Sequence, residues 1–177
     1  MGEYFRVMPA LLCLSALAGN PAAAVDNVHY FGNLVAEPCG LLPEDENIVV
    51  EFGTVIEKYL YLNGRTHSQP FALRLVDCDI SLGKTVSVSF SGMESVPLPG
   101  LLALDGGSTA SGIAIGLETQ DGKALPLNQK SGAQELTDGN NQIALQAYVR
   151  GEPEAIANQA ITRGPFIAVA TFNLEYE

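Results

Sequence analysis

Catalysis needs a nucleophile, a proton carrier or a set of metal ligands brought together, and this sequence supplies few of any. Histidine occurs twice, at His29 and His67. His67 stands in a polar stretch with Arg65 and Ser68, the setting of a solvated loop residue rather than of a base. Glu44, Asp45 and Glu46 gather three carboxylates, yet neighbours in sequence point different ways, so the trio is expected to keep a loop hydrated. Asp138, Asn140 and Asn141 offer the oxygen ligands that Ca2+ takes, without the ligand spacing of a calcium loop. No Gly-x-Ser-x-Gly, His-Glu-x-x-His or glycine-rich phosphate loop is present. No catalytic residue, metal ligand or cofactor is therefore expected, and an enzyme is the less favoured class.

Cysteine is the remaining reactive type, and its use depends on the compartment. Arg6 precedes an apolar run over residues 7–18, followed by Gly19, Asn20, Pro21 and the small residues Ala22, Ala23 and Ala24. That order is a signal peptide with an Ala-x-Ala cleavage site, so residues 1–24 are expected to be removed and the mature chain to begin near Val25. The run is shorter than the ~20 residues of a membrane-spanning helix, and Glu3 is an unusual acid in its leading segment. Cys13 follows Leu12 inside the run, where a lipid-modified signal would place a small residue, and is discarded with it. Cys39 and Cys78 remain, in an oxidising compartment, and pairing is the expected state, with two free buried thiols as the alternative. A bond closing a loop of about 40 residues adds roughly 3–4 kcal/mol in the chain-entropy account. Two cysteines and two distant histidines give none of the usual zinc spacings.

The formal net charge is −11, and loss of Glu3 and Arg6 with the signal leaves it unchanged. Nucleic acid and anionic lipid are poor partners for such a surface. The length suits one domain with an ordinary core.

The elements that position these residues follow a nearly uninterrupted period of two. Residues 48–55, 71–75, 85–90, 113–117, 143–149 and 166–176 are rich in β-branched, aromatic or leucine positions and are expected as strands. Turn signals separate them at Asn63-Gly64, Asp105-Gly106-Gly107, Asp121-Gly122 and Asp138-Gly139-Asn140-Asn141. Short strands at this spacing imply a sandwich or a barrel. The only helix expected is a turn or two near residues 152–159, opened by Pro153.

Both ends fit poorly in a self-contained sandwich. Close to the cleavage site Val28, Tyr30, Gly32 and Leu34 alternate with His29, Phe31, Asn33 and Val35. An alternating arm beside a free end can be a strand of its own domain or a strand for another, and Gly32 can mark a bulge in it. At the other end Gly164, Phe166, Ala168, Ala170, Phe172, Leu174 and Tyr176 form one unbroken face, while Ile167 and Val169 make part of the second face apolar. Such a strand belongs in the middle of a sheet. The sequence stops one residue after Tyr176, so the covering strand is expected from elsewhere.

On these residues the chain resembles the pilin subunits of chaperone–usher fimbriae of Gram-negative bacteria. The resemblance lies in Gly164 with the alternating apolar positions after it and the penultimate Tyr176, and in Tyr30-Phe31-Gly32 ahead of the first cysteine. It extends to Phe71-Ala72-Leu73-Arg74-Leu75-Val76-Asp77, which leads into Cys78. The short arm and Gly32-Asn33-Leu34 look most like the minor, tip-proximal pilins of P-type pili. The implied fold is all-β, an incomplete immunoglobulin-like β-sandwich lacking its last strand. Residues 25–36 would be an N-terminal donor-strand extension and residues 37–177 the pilin domain.

The same resemblance implies that Val28, Tyr30, Gly32 and Leu34 enter the groove of a neighbouring subunit, with Gly32 facing a shallow pocket. Gly164, Phe166, Ala168, Ala170, Phe172, Leu174 and Tyr176 would edge the acceptor groove and bind the chaperone. Partners would be a periplasmic pilus chaperone, which lends a strand and grips the carboxylate of Glu177, the outer-membrane usher, and neighbouring pilin subunits. No nucleic acid and no small-molecule substrate is implied. The protein would pass through the periplasm to a cell-surface fimbrium, where strand addition provides the adhesion between subunits. A minor, adaptor-type position is favoured by the arm, with initiator, terminator and major rod positions open beside it.

A secreted binding module is the competing class. Sugar sites favour aromatic platforms, and the chain has no Trp and six Tyr. A lectin domain ahead of the pilin domain, as in two-domain fimbrial adhesins, has no room in this length.

Overall fold

The computed structural model describes residues 30–32, 34 and 36–177. The expected signal peptide, Val28, His29, Asn33 and Val35 lie outside the described residues. The chain divides into two units, one ending at Leu34 and one spanning Val35–Glu177. In the first, Tyr30, Phe31, Gly32 and Leu34 are exposed and belong to no helix or strand.

Two antiparallel sheets make up the second unit. Four strands, β1 (Gly40–Leu41), β2 (Gln69–Cys78), β4 (Ile113–Thr119) and β6 (Gly139–Gly151), form one sheet in the order β1-β2-β6-β4. The other holds β3 (Thr85–Gly92), β5 (Gln134–Glu135) and β7 (Ala170–Tyr176) in the order β5-β3-β7. A 3-10 turn at Pro43–Asp45 and two short helices, α1 (Glu57–Asn63) and α2 (Pro153–Ala157), connect them. Alternation decides which face is buried. Leu73 and Leu75 of β2 point into the core with Arg74 outside, and Ile143, Leu145, Ala147 and Val149 of β6 do the same. Val86 and Val88 of β3 meet them from the second sheet. Each fully buried Leu or Val contributes about 1.5–3 kcal/mol. Among the described residues no helix is long and apolar enough to cross a membrane.

The strands expected over 71–75, 85–90, 113–117 and 143–149 lie inside β2, β3, β4 and β6. Residues 48–55 do not form a strand, and the one expected over 166–176 begins only at Ala170. Among the described residues neither stretch has a strand beside it to complete a ladder. The helix near residues 152–159 is α2, with Pro153 in its first turn. It is not the only helix, because α1 forms over Glu57–Asn63 with Leu60 buried beneath it. Asn63-Gly64, expected as a strand turn, instead ends α1: Gly64 has φ 76° and its N–H donates to Leu60 O at 2.8 Å.

Cys39, just ahead of β1, and Cys78, the last residue of β2, are bonded. The acidic trio does not stay wholly in solvent. Asp45 is buried and accepts from the Arg74 N–H at 2.7 Å and from Arg74 Nε at 2.9 Å, a bond that reaches across β2, while Glu44 and Glu46 remain exposed. In the polar stretch His67 is exposed and shares a 2.9 Å hydrogen bond with Tyr59 OH. Its neighbours turn inward: Arg65 makes two 2.9 Å bonds to the buried Glu118, Ser68 Oγ donates to the same carboxylate, and Arg65 stacks 3.6 Å above the Tyr148 ring. The carbonyl-like side chains of the 138–141 turn are likewise used within the chain. Asp138 Oδ1 accepts from Ile80 N, and Asn141 bonds to Thr137 in both directions.

Candidate strand-acceptor groove

One edge of the second sheet is open. β7 pairs with β3 from Val86↔Tyr176 to Gly92↔Ala170, and among the described residues no strand lies on its other side. Upstream, residues 164–169 continue the extended line. Thr109 and Ala110 N–H groups donate to Pro165 O at 2.9 and 3.2 Å, and Asp105 N donates to Ile167 O at 2.8 Å. Ile167 N donates to Ser108 Oγ at 3.0 Å. Pro165 and Ile167 thus spend their backbone groups on the 105–110 loop, while those of the intervening Phe166 and Ala168 have no partner among the described residues and face the opposite way. Gly164 opens this lip because nothing else fits: φ is 151°, and a Cβ there would lie 2.7 Å from Thr109 Cβ.

The facing lip is residues 47–55. Among the described residues not one of their main-chain N–H or C=O groups has a hydrogen-bond partner. Burial nevertheless alternates along it, with Ile48, Val50 and Phe52 half-buried and Asn47, Val49 and Glu51 exposed. Gly53, at φ 60°, shifts the phase so that Val55 faces in as well. On the other lip Phe166, Ala168, Ala170, Phe172 and Leu174 are half-buried and the residues between Gly164 and Thr171 that alternate with them are exposed.

Two contacts tie the lips together and set their alignment. Phe52 and Phe166 have ring centroids 6.1 Å apart, and Arg163 Nε donates to Glu57 Oε2 at 2.5 Å. Numbers rise along one lip as they fall along the other, so the lips run antiparallel. Stepping from the Phe52–Phe166 contact puts Val50 level with Ala168 and Val49 level with Val169. Inward residues meet inward residues and outward meet outward.

Between the lips lies a trough of about 1130 Å³, larger than a typical small-molecule pocket. Its floor is Phe71, Leu73, Phe90, Leu102, Ile115, Leu117 and Ala147, with Phe71 and Phe90 packed edge to face at 6.3 Å. Two strand edges with unspent donors and acceptors, flanking an apolar floor, match the needs of one more extended strand. Such a strand would be parallel to one lip and antiparallel to the other.

The ionisable side chains that line the trough are Glu46 and Glu51, both exposed. Beyond the lower end of the lips, burial pushes the Tyr176 phenol up, with the Glu37 charge adding to it. Lys130 pairs with Glu175 on the outer face of β7 and is pushed up by it. The backbone of Glu177 continues the ladder, its O accepting from Lys84 N at 2.7 Å and Thr85 N at 3.0 Å.

The fimbrial protein family matches residues 28–177. The chain belongs to that family. The fimbrial-like protein YfcP of Escherichia coli is 36% identical, over 99% of this chain and 95% of its own. The major MR/P fimbria protein of Proteus mirabilis is 35% identical over 94% of both chains, and the fimbrial adapter PapK of Escherichia coli 33% over 94% and 96%. Among solved structures, the P pilus rod subunit PapA superposes with a TM-score of 0.69 at 27% identity, covering 80% of this chain and 100% of that one. A chain of a chaperone–usher pilus gives the same TM-score and identity over 90% and 100%. The resemblance to chaperone–usher pilins is therefore genuine, and the incomplete immunoglobulin-like sandwich agrees with these structures.

In this fimbrial protein the residues singled out at the end of the sequence fall on one lip. Ala170, Phe172, Leu174 and Tyr176 belong to β7, and Phe166 and Ala168 to the extended stretch ahead of it. The opposite lip was not singled out as part of a site. Its signal was present, in the alternation of Ile48, Val50 and Phe52, but alternation alone reads as an ordinary strand.

Proposed function

We propose that this chaperone–usher pilus subunit polymerises by donor-strand exchange, accepting a strand between residues 47–55 and residues 164–176 and donating Val28, Tyr30, Gly32 and Leu34 to the next subunit. The observation that carries the reading is the pair of facing edges with unspent backbone groups above an apolar floor. An open groove of this kind exposes surface that promotes aggregation. A periplasmic chaperone would cover it first, an outer-membrane usher would receive the subunit, and the arm of a neighbour would replace the chaperone in a fibre on the surface of a Gram-negative bacterium. A minor, adaptor-type position is supported by the arm and by the likeness to the adapter PapK. A rod position is the second reading, supported by the likeness to the major MR/P protein and to the rod subunit PapA.

The test is to supply a strand. A peptide of residues 25–36, or the same sequence fused after Glu177, is expected to raise thermal stability. A ligand at a hundred times its Kd adds about 2.7 kcal/mol, which for a domain of this size raises Tm by roughly 5–10 °C. A chain that melts as one cooperative unit unaffected by either addition refutes the exchange reading.

A further inference from the structure

The groove has an outer rim as well as a floor, and the rim is apolar at one level. Val49 is 79% exposed on one lip and Val169 63% exposed on the other. The antiparallel alignment set by Phe52 and Phe166 puts the two valines at the same height. Ile167, 64% exposed, stands one level up across from Glu51, and polar Asn47 and Thr171 lie one level down. A strand filling the groove sends every second side chain outward, between these residues. Its outward residue at the middle level is flanked by β-branched side chains on both sides, where an aromatic pairs best.

The arm of this chain carries such a residue. If Tyr30, Gly32 and Leu34 face the floor, Phe31 faces out, and it is 98% exposed in the free arm. The outward positions two residues to either side of it are polar, His29 and Asn33. The order polar, aromatic, polar matches a rim that is apolar in the middle and has a polar or charged residue at the level on either side.

We infer that Phe31 is a specificity-determining residue of the donor arm, seated over Val49 and Val169 of the acceptor, and that the arm fitting this rim is that of a second copy of the chain. The inference rests on the exchange reading and adds to it a second recognition surface on the solvent side of the inserted strand. A subunit whose arm fits its own groove can follow itself in short runs.

The experiment titrates dye-labelled peptides of residues 25–36 onto the refolded full chain and reads fluorescence anisotropy. Phe31→Ser is expected to raise Kd by about three- to fivefold and Phe31→Leu to change it little. On a chain carrying Val49→Ser and Val169→Ser, two exposed positions whose change leaves the core intact, the native and Phe31→Ser peptides are expected to bind alike. Equal binding of both peptides to the native chain overturns the inference and leaves the exchange reading standing. So does an equal loss for Phe31→Ser on both chains, because Phe31 would then act elsewhere. A native peptide that binds neither chain overturns the inference, because the arm fitting the groove would then belong to a different subunit.

Discussion

The rings of Phe52 and Phe166 lie 6.1 Å apart at an interplanar angle of 36°, and they join two segments that share no backbone hydrogen bond. The lips of the groove therefore hold to each other through side chains. Replacing Phe52 by Ala is expected to destabilise the domain by about 1–2 kcal/mol, less than the loss of a fully buried Phe because the ring is half-exposed. Amide hydrogen exchange over residues 47–55 should accelerate with it. Unchanged protection of that lip in Phe52→Ala would show that the aromatic contact does not hold it.

Gly164 answers to the loop beneath it. A side chain there meets Thr109 Cβ at 2.7 Å and Cγ2 at 2.9 Å, on a backbone at φ 151°. Gly164→Val is expected to cost about 2 kcal/mol or more in urea unfolding, from overpacking and backbone strain together. Thr109→Gly should recover part of the loss by removing both contact atoms. No recovery would assign the cost to the backbone alone.

The Cys39–Cys78 bond ties the residue ahead of β1 to the end of β2 across a sequence separation of 39. Replacing both cysteines by Ser is expected to lower stability by roughly 3–4 kcal/mol. Mass spectrometry of unreduced protein should find no free thiol in residues 25–177, and two alkylatable thiols there would contradict the pairing.

Three carboxylates are held below their usual range by arginine hydrogen bonds: Asp45 by Arg74, Glu57 by Arg163 and Glu118 by Arg65. A depressed carboxylate stabilises the fold above its unfolded pKa, about 3.9 for Asp and 4.3 for Glu, and that stability is lost as pH falls through the lower folded value. Tm should be level from pH 7 to about 5 and fall below about pH 4. Asp45→Asn should cost about 1–2 kcal/mol at pH 7, the lower part of the range for a charged hydrogen bond because Arg74 is half-exposed, and should flatten the acid limb. An acid limb as steep as that of the native chain would remove Asp45 from the explanation.

Gly32 separates assembly from folding. Among the described residues, its chain neighbours aside, no atom lies within 4 Å of the place a Cβ would take on it. Gly32→Leu is therefore expected to fold on a chaperone with native yield, yet to donate its arm at least about fivefold more slowly, since overpacking an acceptor pocket costs about 1–3 kcal/mol. Loss of chaperone-bound yield with normal exchange would place Gly32 in the domain's own sandwich.

Alternation is a local property, and it made β2, β3, β4 and β6 legible in the sequence together with the face each buries. The cysteine pairing was legible for a similar reason, since an expected export signal and the two cysteines after it leave few other states. Residues 48–55 alternate as clearly as residues 71–75, yet form no strand, because a ladder needs a neighbour and whether one exists is decided by the packing of distant segments. α1 escaped notice because Tyr59, Leu60, Tyr61 and Leu62 form a continuous apolar run that declares no period, and only the burial of Leu60 against the sheets selects the helix. Asp45 looked like one of three hydrated acids until Arg74, brought beside it by the pairing of β1 with β2, made its burial affordable. The open edge of Gly164 to Tyr176 could be suspected from its two apolar faces. The second lip and the level at which Val49 meets Val169 exist only once Phe52 and Phe166 touch, because that register is set by contacts between residues more than a hundred positions apart.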